Sequence, residues 1–216
     1  MQIDKKEALR YMGYRGQQLD KNTEALLQEC CEELQEISRE RFVYRVFNIE
    51  TIEESLHLPD TTLRLPGADI RKLLSKSQKC VLMAATLGLE VDRRIGLYAR
   101  TNLTKGLILD ACATAAIESL CDTLQEQIAA ESCSLGLNTT ARYSPGYGDL
   151  PITVQKELLQ VLNAHREIGL AVNDSCIMVP RKSVTAILGL QPENCSSQQS
   201  RCSSCEQKNC LYKCNI

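Results

Sequence analysis

Apolar and polar residues recur along this chain at spacings that predict several amphipathic helices. Residues 4–12, 89–99 and 153–166 follow helical periodicity, with Thr153 placed to cap the last of them. Residues 23–39 do so as well, with one apolar face made of Leu26, Leu27, Cys30, Leu34 and Ile37. The longest predicted helix runs from about Lys105 to Ser132 without a proline. Its apolar stripe consists of Ala113, Ile117, Leu120, Leu124 and Ile128, and a neighbouring stripe carries Asp110, Thr114 and Glu118 at intervals of four.

Other segments have the composition of strands. The run at 42–47 is aromatic and β-branched, and the continuous apolar run at 80–85 suits a strand buried on both faces. Further strands are predicted at 61–65, 176–179 and 183–188, and a short helix around Ile70 follows the break at Pro66-Gly67. Because helices and strands do not alternate regularly, the predicted class is α+β, with helices packed on a mixed or antiparallel sheet.

Charge and hydropathy argue against two classes of partner. Lys and Arg total 25 against 27 Asp and Glu, so no overall field favours nucleic acid or an anionic membrane. No apolar run reaches 18 residues, and the N-terminus lacks a stretch of signal-peptide length. We therefore expect a cytoplasmic protein that binds neither nucleic acid nor membrane.

The 12 cysteines fall into two groups. Seven lie in or beside apolar or helical segments, where buried thiols acting as small hydrophobic side chains explain them (Cys30, Cys31, Cys80, Cys112, Cys121, Cys133 and Cys176). The other five lie in a polar C-terminal stretch that cannot form a core of its own. We therefore divide the chain into a domain at 1–190 and a Cys-rich tail at 191–216.

The tail is a candidate metal site. Cys202, Cys205, Cys210 and Cys214 could bind zinc tetrahedrally or hold an iron–sulfur cluster, with Cys195 as a fifth ligand or a bystander. The spacing matches no strict metal-binding pattern, so a tail of reduced thiols stays open as the alternative.

Residues 142–151, RYSPGYGDLP, form the segment with the most distinctive chemistry. Proline and two glycines predict a shaped loop that presents backbone groups beside a guanidinium and two phenols. An arginine can grip a carboxylate through two nitrogens, and a tyrosine ring can stack on a heterocycle. Taken alone, the segment is equally compatible with an ordinary turn that has a solvated Arg142.

This segment resembles the Arg-x-x-x-Gly-Tyr element of the activation domain of cobalamin-dependent methionine synthase, through Arg142, Gly146 and Tyr147, followed by Pro151. Three further segments resemble free-standing relatives of that domain: ALRYMGYRG, DACATAAIESLCDTL and MVPRKSVTAILGL. The similarity covers most of residues 7–190 in the same order. It implies the fold of that activation domain.

The resemblance also implies an S-adenosylmethionine site. Arg142 would hold the ligand's carboxylate, Ser144 would offer mainly main-chain contacts, and Gly146 would allow close backbone approach. Tyr147 would flank the nucleoside, and Glu118 would lie near the cationic part of the ligand. The chain departs from the fused domains after its Pro-x-x-Ser segment, where Gln191 and the tail replace a tyrosine-bearing segment.

The implied function is reductive reactivation of a methionine synthase that lacks its own activation domain. The partner would carry the cobalamin, and a flavodoxin- or ferredoxin-type protein would supply one electron. An alternative is a metal- or iron–sulfur-binding adaptor of a corrinoid protein that binds no such ligand. An ordinary methyltransferase is disfavoured, since no Gly-rich loop follows a strand, and no catalytic residues are predicted. His57 and His165 lie in unrelated polar stretches and are expected to be solvated.

Overall fold

The computed structural model describes residues 3–53, 55–59 and 61–192, and this part of the chain contains helices and short strands in irregular order. The helices are α1 (Lys5–Tyr11), α2 (Lys21–Ile37), α3 (Ala68–Leu74), α4 (Leu89–Thr101), α5 (Leu103–Cys133), α6 (Val154–Val161) and α7 (Ala164–Ile168). The strands are β1 (Arg41–Asn48), β2 (Glu50–Ile52), β3 (Ser55–His57), β4 (Arg64–Leu65), β5 (Lys79–Thr86), β6 (Leu137–Thr139), β7 (Ala171–Val172), β8 (Met178–Val179) and β9 (Ser183–Pro192). The predicted α+β class is confirmed.

Four strands form the central sheet in the order β1-β5-β9-β6, and every neighbouring pair is antiparallel. Strand β5 is central, with Val43 of β1 opposite Ala84 and Ala186 of β9 opposite Met83. Smaller antiparallel sheets are formed by β2-β3-β4 and by β7-β8.

Helices cover both faces of the central sheet, which explains the continuous apolar run at 80–85. Successive side chains of a strand point to opposite faces, so Val81 and Met83 pack with α2 and α5 while Leu82 and Ala84 pack with α3, α6 and α7. All residues of β5 except Lys79 are buried. The sheet thus separates two apolar cores.

Helix α5 is the longest element, at 31 residues. The Asn102 side chain caps its N-terminus by accepting a hydrogen bond from the backbone N–H of Lys105. The predicted apolar stripe is buried except for Leu120, which is partly buried. Within the described ranges, no helix combines the length and the apolarity needed to cross a membrane.

Polar contacts of Glu33 and a contact between two thiols join α2 to α4 and α5. The Glu33 carboxylate of α2 accepts a hydrogen bond from Tyr98 (2.8 Å) and pairs with Lys105 (3.1 Å) and Arg94. Deeper in the same interface, the Cys31 and Cys112 sulfurs lie 3.8 Å apart and both residues are buried.

Several sequence predictions need correction. The helix predicted at 153–166 is divided into α6 and α7, because Asn163 adopts a positive φ of 53° between them. Thr153 makes no capping hydrogen bond, since its backbone is already helical. Only the last two residues of the strands predicted at 61–65 and 176–179 are strands.

The cysteine prediction also needs a correction. Five of the seven cysteines predicted to be buried are so, but Cys133 is exposed at the end of α5 and Cys176 is half-buried. Strand β9 continues to Pro192, two residues past the predicted domain boundary. The division into a domain and a tail stays a prediction.

Candidate functional site

The central sheet fixes the start of the loop at 142–149. After β6, the N–H of Thr140 donates to the carbonyl of Gly189, and the Thr140 hydroxyl accepts a hydrogen bond from the N–H of Gly189. Tyr143 then forms an isolated bridge with Ile187, with N–H···O distances of 2.9 and 2.8 Å. The backbone on both sides of Arg142 is therefore attached to β9.

Arg142 is the most buried charged side chain of the site, with 6% of its side chain exposed. Its Nη2 lies 2.8 Å from Oδ1 of Asp122 and 3.3 Å from Oε2 of Glu118, both on α5. Its Nη1 is buried and has no hydrogen-bond partner among the described residues. A buried guanidinium nitrogen without a partner is costly, so Nη1 is a donor for an acceptor that the described residues do not supply.

Glu118 belongs to the polar stripe of α5 that the sequence predicts at 110, 114 and 118, and Asp122 extends this stripe by one turn. Asp122 was not among the predicted site residues, although it continues the same interval of four. One guanidinium against two carboxylates gives these three side chains a formal charge of −1. This sign suits a ligand that combines a carboxylate with cationic groups.

The same stripe holds a second cation further toward the start of α5. The Lys182 ammonium lies 2.9 Å from Oδ1 of Asp110 and donates to the Thr114 hydroxyl at 2.8 Å. The C-terminal part of the stripe therefore contacts the loop, by pairing with Arg142. The N-terminal part contacts the segment before β9, by pairing with Lys182.

The remaining predicted site residues lie on the loop itself. The carbonyl of Ser144 accepts a hydrogen bond from the N–H of Tyr147 at 3.2 Å, which forms a turn. Gly146 occupies this turn with a φ of +91°, a conformation that favours glycine. The Tyr147 side chain is 67% exposed. Residues 146–149 are thus exposed, whereas Pro145 is buried and the partly buried Tyr143 packs against the core on the side of α3 and α6.

Two clefts lie elsewhere on the described surface. One, of about 550 Å³, is lined by residues of α6, α7 and β7 with Lys156, His165 and Asp174. The other, of about 410 Å³, lies along α4 between Asp92 and Arg100. Neither is lined by a predicted site residue, so the predicted ligand position is the surface between the loop and α5.

The predicted metal ligands Cys202, Cys205, Cys210 and Cys214 lie outside the described residues. Across residues 3–53, 55–59 and 61–192, no three histidine, cysteine, aspartate or glutamate side chains are grouped so as to hold a metal ion. The tail metal site stays a prediction.

Comparisons with known proteins agree with this architecture. A solved structure of the MetH reactivation domain bound to AdoHcy superposes with a TM-score of 0.67, at 16% identity, over 90% of this chain and 75% of that one. No curated protein matches the chain in sequence. The family model described as the activation domain of vitamin B12-dependent methionine synthase matches residues 10–208. The chain therefore belongs to the family of methionine synthase activation domains.

Proposed function

We propose that this protein binds S-adenosylmethionine and supports the reductive methylation of cob(II)alamin, which reactivates a cobalamin-dependent methionine synthase. Membership of the activation-domain family supports the general role. The observation that carries the ligand is the buried Arg142, held by two carboxylates and with Nη1 unpartnered among the described residues.

The proposed roles come from the resemblance to the family, and the position of each side chain is compatible with them. Nη1 of Arg142 takes the ligand's carboxylate, while Nη2 stays paired with Asp122 and Glu118. These two carboxylates attract the sulfonium and the ammonium. Gly146 lets the backbone approach the ligand, Ser144 contributes main-chain groups, and the exposed ring of Tyr147 flanks the nucleoside.

The chemistry proposed for the chain itself is binding and orientation. S-adenosylmethionine supplies the methyl group, the cobalamin of the partner accepts it, and a flavodoxin- or ferredoxin-type protein supplies the electron. The contribution of this chain is to fix the ligand through Arg142 and the loop, which replaces a random encounter with a defined one. The proposed partner is a methionine synthase that lacks its own activation domain.

Calorimetric titration with S-adenosylmethionine tests the ligand. We expect the full chain to bind, Arg142→Ala to lose binding, and Arg166→Ala to bind as the wild type does. Arg166 is an exposed arginine on α7, which packs on the opposite face of the sheet from α5, so it is a matched control. Equal effects of the two substitutions would remove the role of Arg142.

The reactivation step is tested with the proposed partner. A methionine synthase in the cob(II)alamin state is mixed with the protein, S-adenosylmethionine and a reductant, and its absorption spectrum is followed. We expect the spectrum of methylcobalamin to appear with the wild type and not with Arg142→Ala.

The alternative role, a metal-binding adaptor, predicts different results. It requires that the wild type bind no S-adenosylmethionine and that substitution of the four tail cysteines by serine abolish partner binding. Metal analysis and an absorption spectrum of protein purified without air test the predicted zinc or iron–sulfur site directly.

A further inference from the structure

Asp149, the last residue of the loop at 142–149, connects the loop to a helix from a distant part of the sequence. Its carboxylate accepts hydrogen bonds from the N–H groups of Ala68 (2.5 Å) and Asp69 (3.2 Å) at the start of α3. The residue before α3, Gly67, has no side chain with which to cap the helix. Asp149 therefore satisfies the first-turn N–H groups that a local cap would otherwise take.

Gly67 is suited to this contact by its size. A Cβ atom at this position would lie 2.6 Å from Oδ1 of Asp149 and 3.3 Å from its carbonyl oxygen. Any larger residue would displace the carboxylate from the helix.

Tyr143 forms a second connection across the loop. Its hydroxyl lies 3.1 Å from the carbonyl oxygen of Tyr147, to which it donates, and 3.4 Å from Oδ2 of Asp69. Burial, followed by the negative charges of Asp69 and Asp149, raises the pKa of Tyr143 to about 12. The hydroxyl therefore stays protonated and remains a donor at neutral pH.

Gly148 lets these groups come together. A Cβ atom there would lie 2.2 Å from the Tyr143 hydroxyl and 2.3 Å from Oδ2 of Asp69. The loop closes on itself at the same place, because Gly146 N–H donates to Leu150 carbonyl at 2.9 Å and Leu150 N–H donates to Tyr147 carbonyl at 3.1 Å.

We propose that the loop clasp, formed by Gly67, Asp69, Tyr143, Gly148 and Asp149, holds the loop in its ligand-binding shape, with Asp149 and Tyr143 as positioning residues. This inference rests on the proposed function. The Tyr143 hydroxyl contacts the loop backbone, and the Asp149 carboxylate joins the loop to α3. Arg142 joins the other end of the loop to α5. A loop fixed at both ends does not have to be ordered when the ligand binds.

Hydrogen exchange on the ligand-free, full-length protein tests the clasp by itself. We expect Asp149→Ala to raise exchange about tenfold at the amides of Ala68, Asp69, Gly146, Tyr147 and Leu150, because the capping and turn hydrogen bonds that these amides donate open more often. Asp174→Ala, which removes a fully exposed carboxylate from another loop, is the control and leaves those amides unchanged. Unchanged exchange in Asp149→Ala would overturn the clasp.

Titration with S-adenosylmethionine tests the positioning role. We expect affinity to fall about tenfold in Asp149→Ala, since the binding-competent loop is then less populated. Asp149→Asn keeps one acceptor oxygen and recovers part of the loss, whereas a merely structural defect would lower the unfolding temperature without such rescue. Tyr143→Phe, which keeps the ring, weakens binding by a few-fold through loss of one hydrogen bond.

The outcomes separate this inference from the proposed function. Failure of the wild type to bind S-adenosylmethionine overturns the proposed function and the positioning role with it. Binding by the wild type with the same affinity in Asp149→Ala overturns the positioning role alone.

Discussion

Replacing Arg142 with lysine tests whether Nη1 and Nη2 of the guanidinium have different roles. A lysine ammonium can still pair with Asp122, which now binds Nη2 at 2.8 Å, but it cannot also present a second nitrogen in the position of Nη1. The formal charge of the three side chains does not change. The substitution therefore removes the one directed hydrogen bond that Nη1 is proposed to donate to the ligand, and it leaves the formal charge of the site unchanged.

The magnitude follows from that single hydrogen bond. A hydrogen bond to a charged group contributes about 2 kcal/mol, which corresponds to a loss of about thirtyfold in affinity for S-adenosylmethionine. The loss should vanish for decarboxylated S-adenosylmethionine, because that ligand lacks the group that Nη1 is proposed to bind. The comparison is a double-mutant cycle between one side chain and one ligand group.

Calorimetry supplies the four affinities, and thermal unfolding checks that Arg142→Lys remains folded. If the substitution weakened both ligands equally, Arg142 would not contact the carboxylate. If it weakened neither, the unpartnered Nη1 would have no part in binding.

Three further predictions concern the helical layer. Burial opposes ionisation of Glu33, but hydrogen bonds from its partners lower its pKa, so the folded state favours the carboxylate. We expect Glu33→Gln to lower the free energy of unfolding by about 2 kcal/mol at pH 7. The difference from the wild type should shrink as the pH falls through the folded pKa of Glu33. Equal urea unfolding midpoints at pH 7 would contradict this prediction. The hydrogen bond shared with Cys112 lowers the pKa of Cys31, whereas burial raises that of Cys30 to about 12. Peptide mapping should therefore find that iodoacetamide alkylates Cys31 faster than Cys30, and the reverse order would refute the contact between Cys31 and Cys112. Gly106→Ala should destabilise the protein by about 1 kcal/mol, since its Cβ would lie 3.1 Å from backbone of α4, and a gain in denaturant midpoint would show that the helices can separate.

Long elements with one clear periodicity could be predicted from the sequence. Helix α5 and strand β5 lie where their patterns place them, because a single buried stripe or a two-sided apolar run determines each. The division of the helix at Asn163 was not predicted, because the apolar pattern continues through this residue. The helix is interrupted only by the positive φ of Asn163. Short strands such as β2 and β7 are held by pairing and carry too few residues for a pattern.

The candidate site divides in the same way. The resemblance indicated Arg142 and Glu118 as members of one site, and the structure places their side chains 3.3 Å apart. Asp122 could have been found by continuing the helical stripe by one turn. The contact of Asp149 with Ala68 could not, because it joins residues 81 positions apart and no local pattern encodes it.

The antiparallel pairing of β5 with β9 has a consequence for how the chain acquires its shape. Lys79 lies opposite Leu190, which is 111 positions later (190 minus 79). The middle of the sheet therefore cannot close until nearly all of the described chain has left the ribosome, and such non-local pairing is slow. Until then the edge of β5 that pairs with β9 has no strand partner, and unpaired strand edges of nascent chains are prone to aggregate.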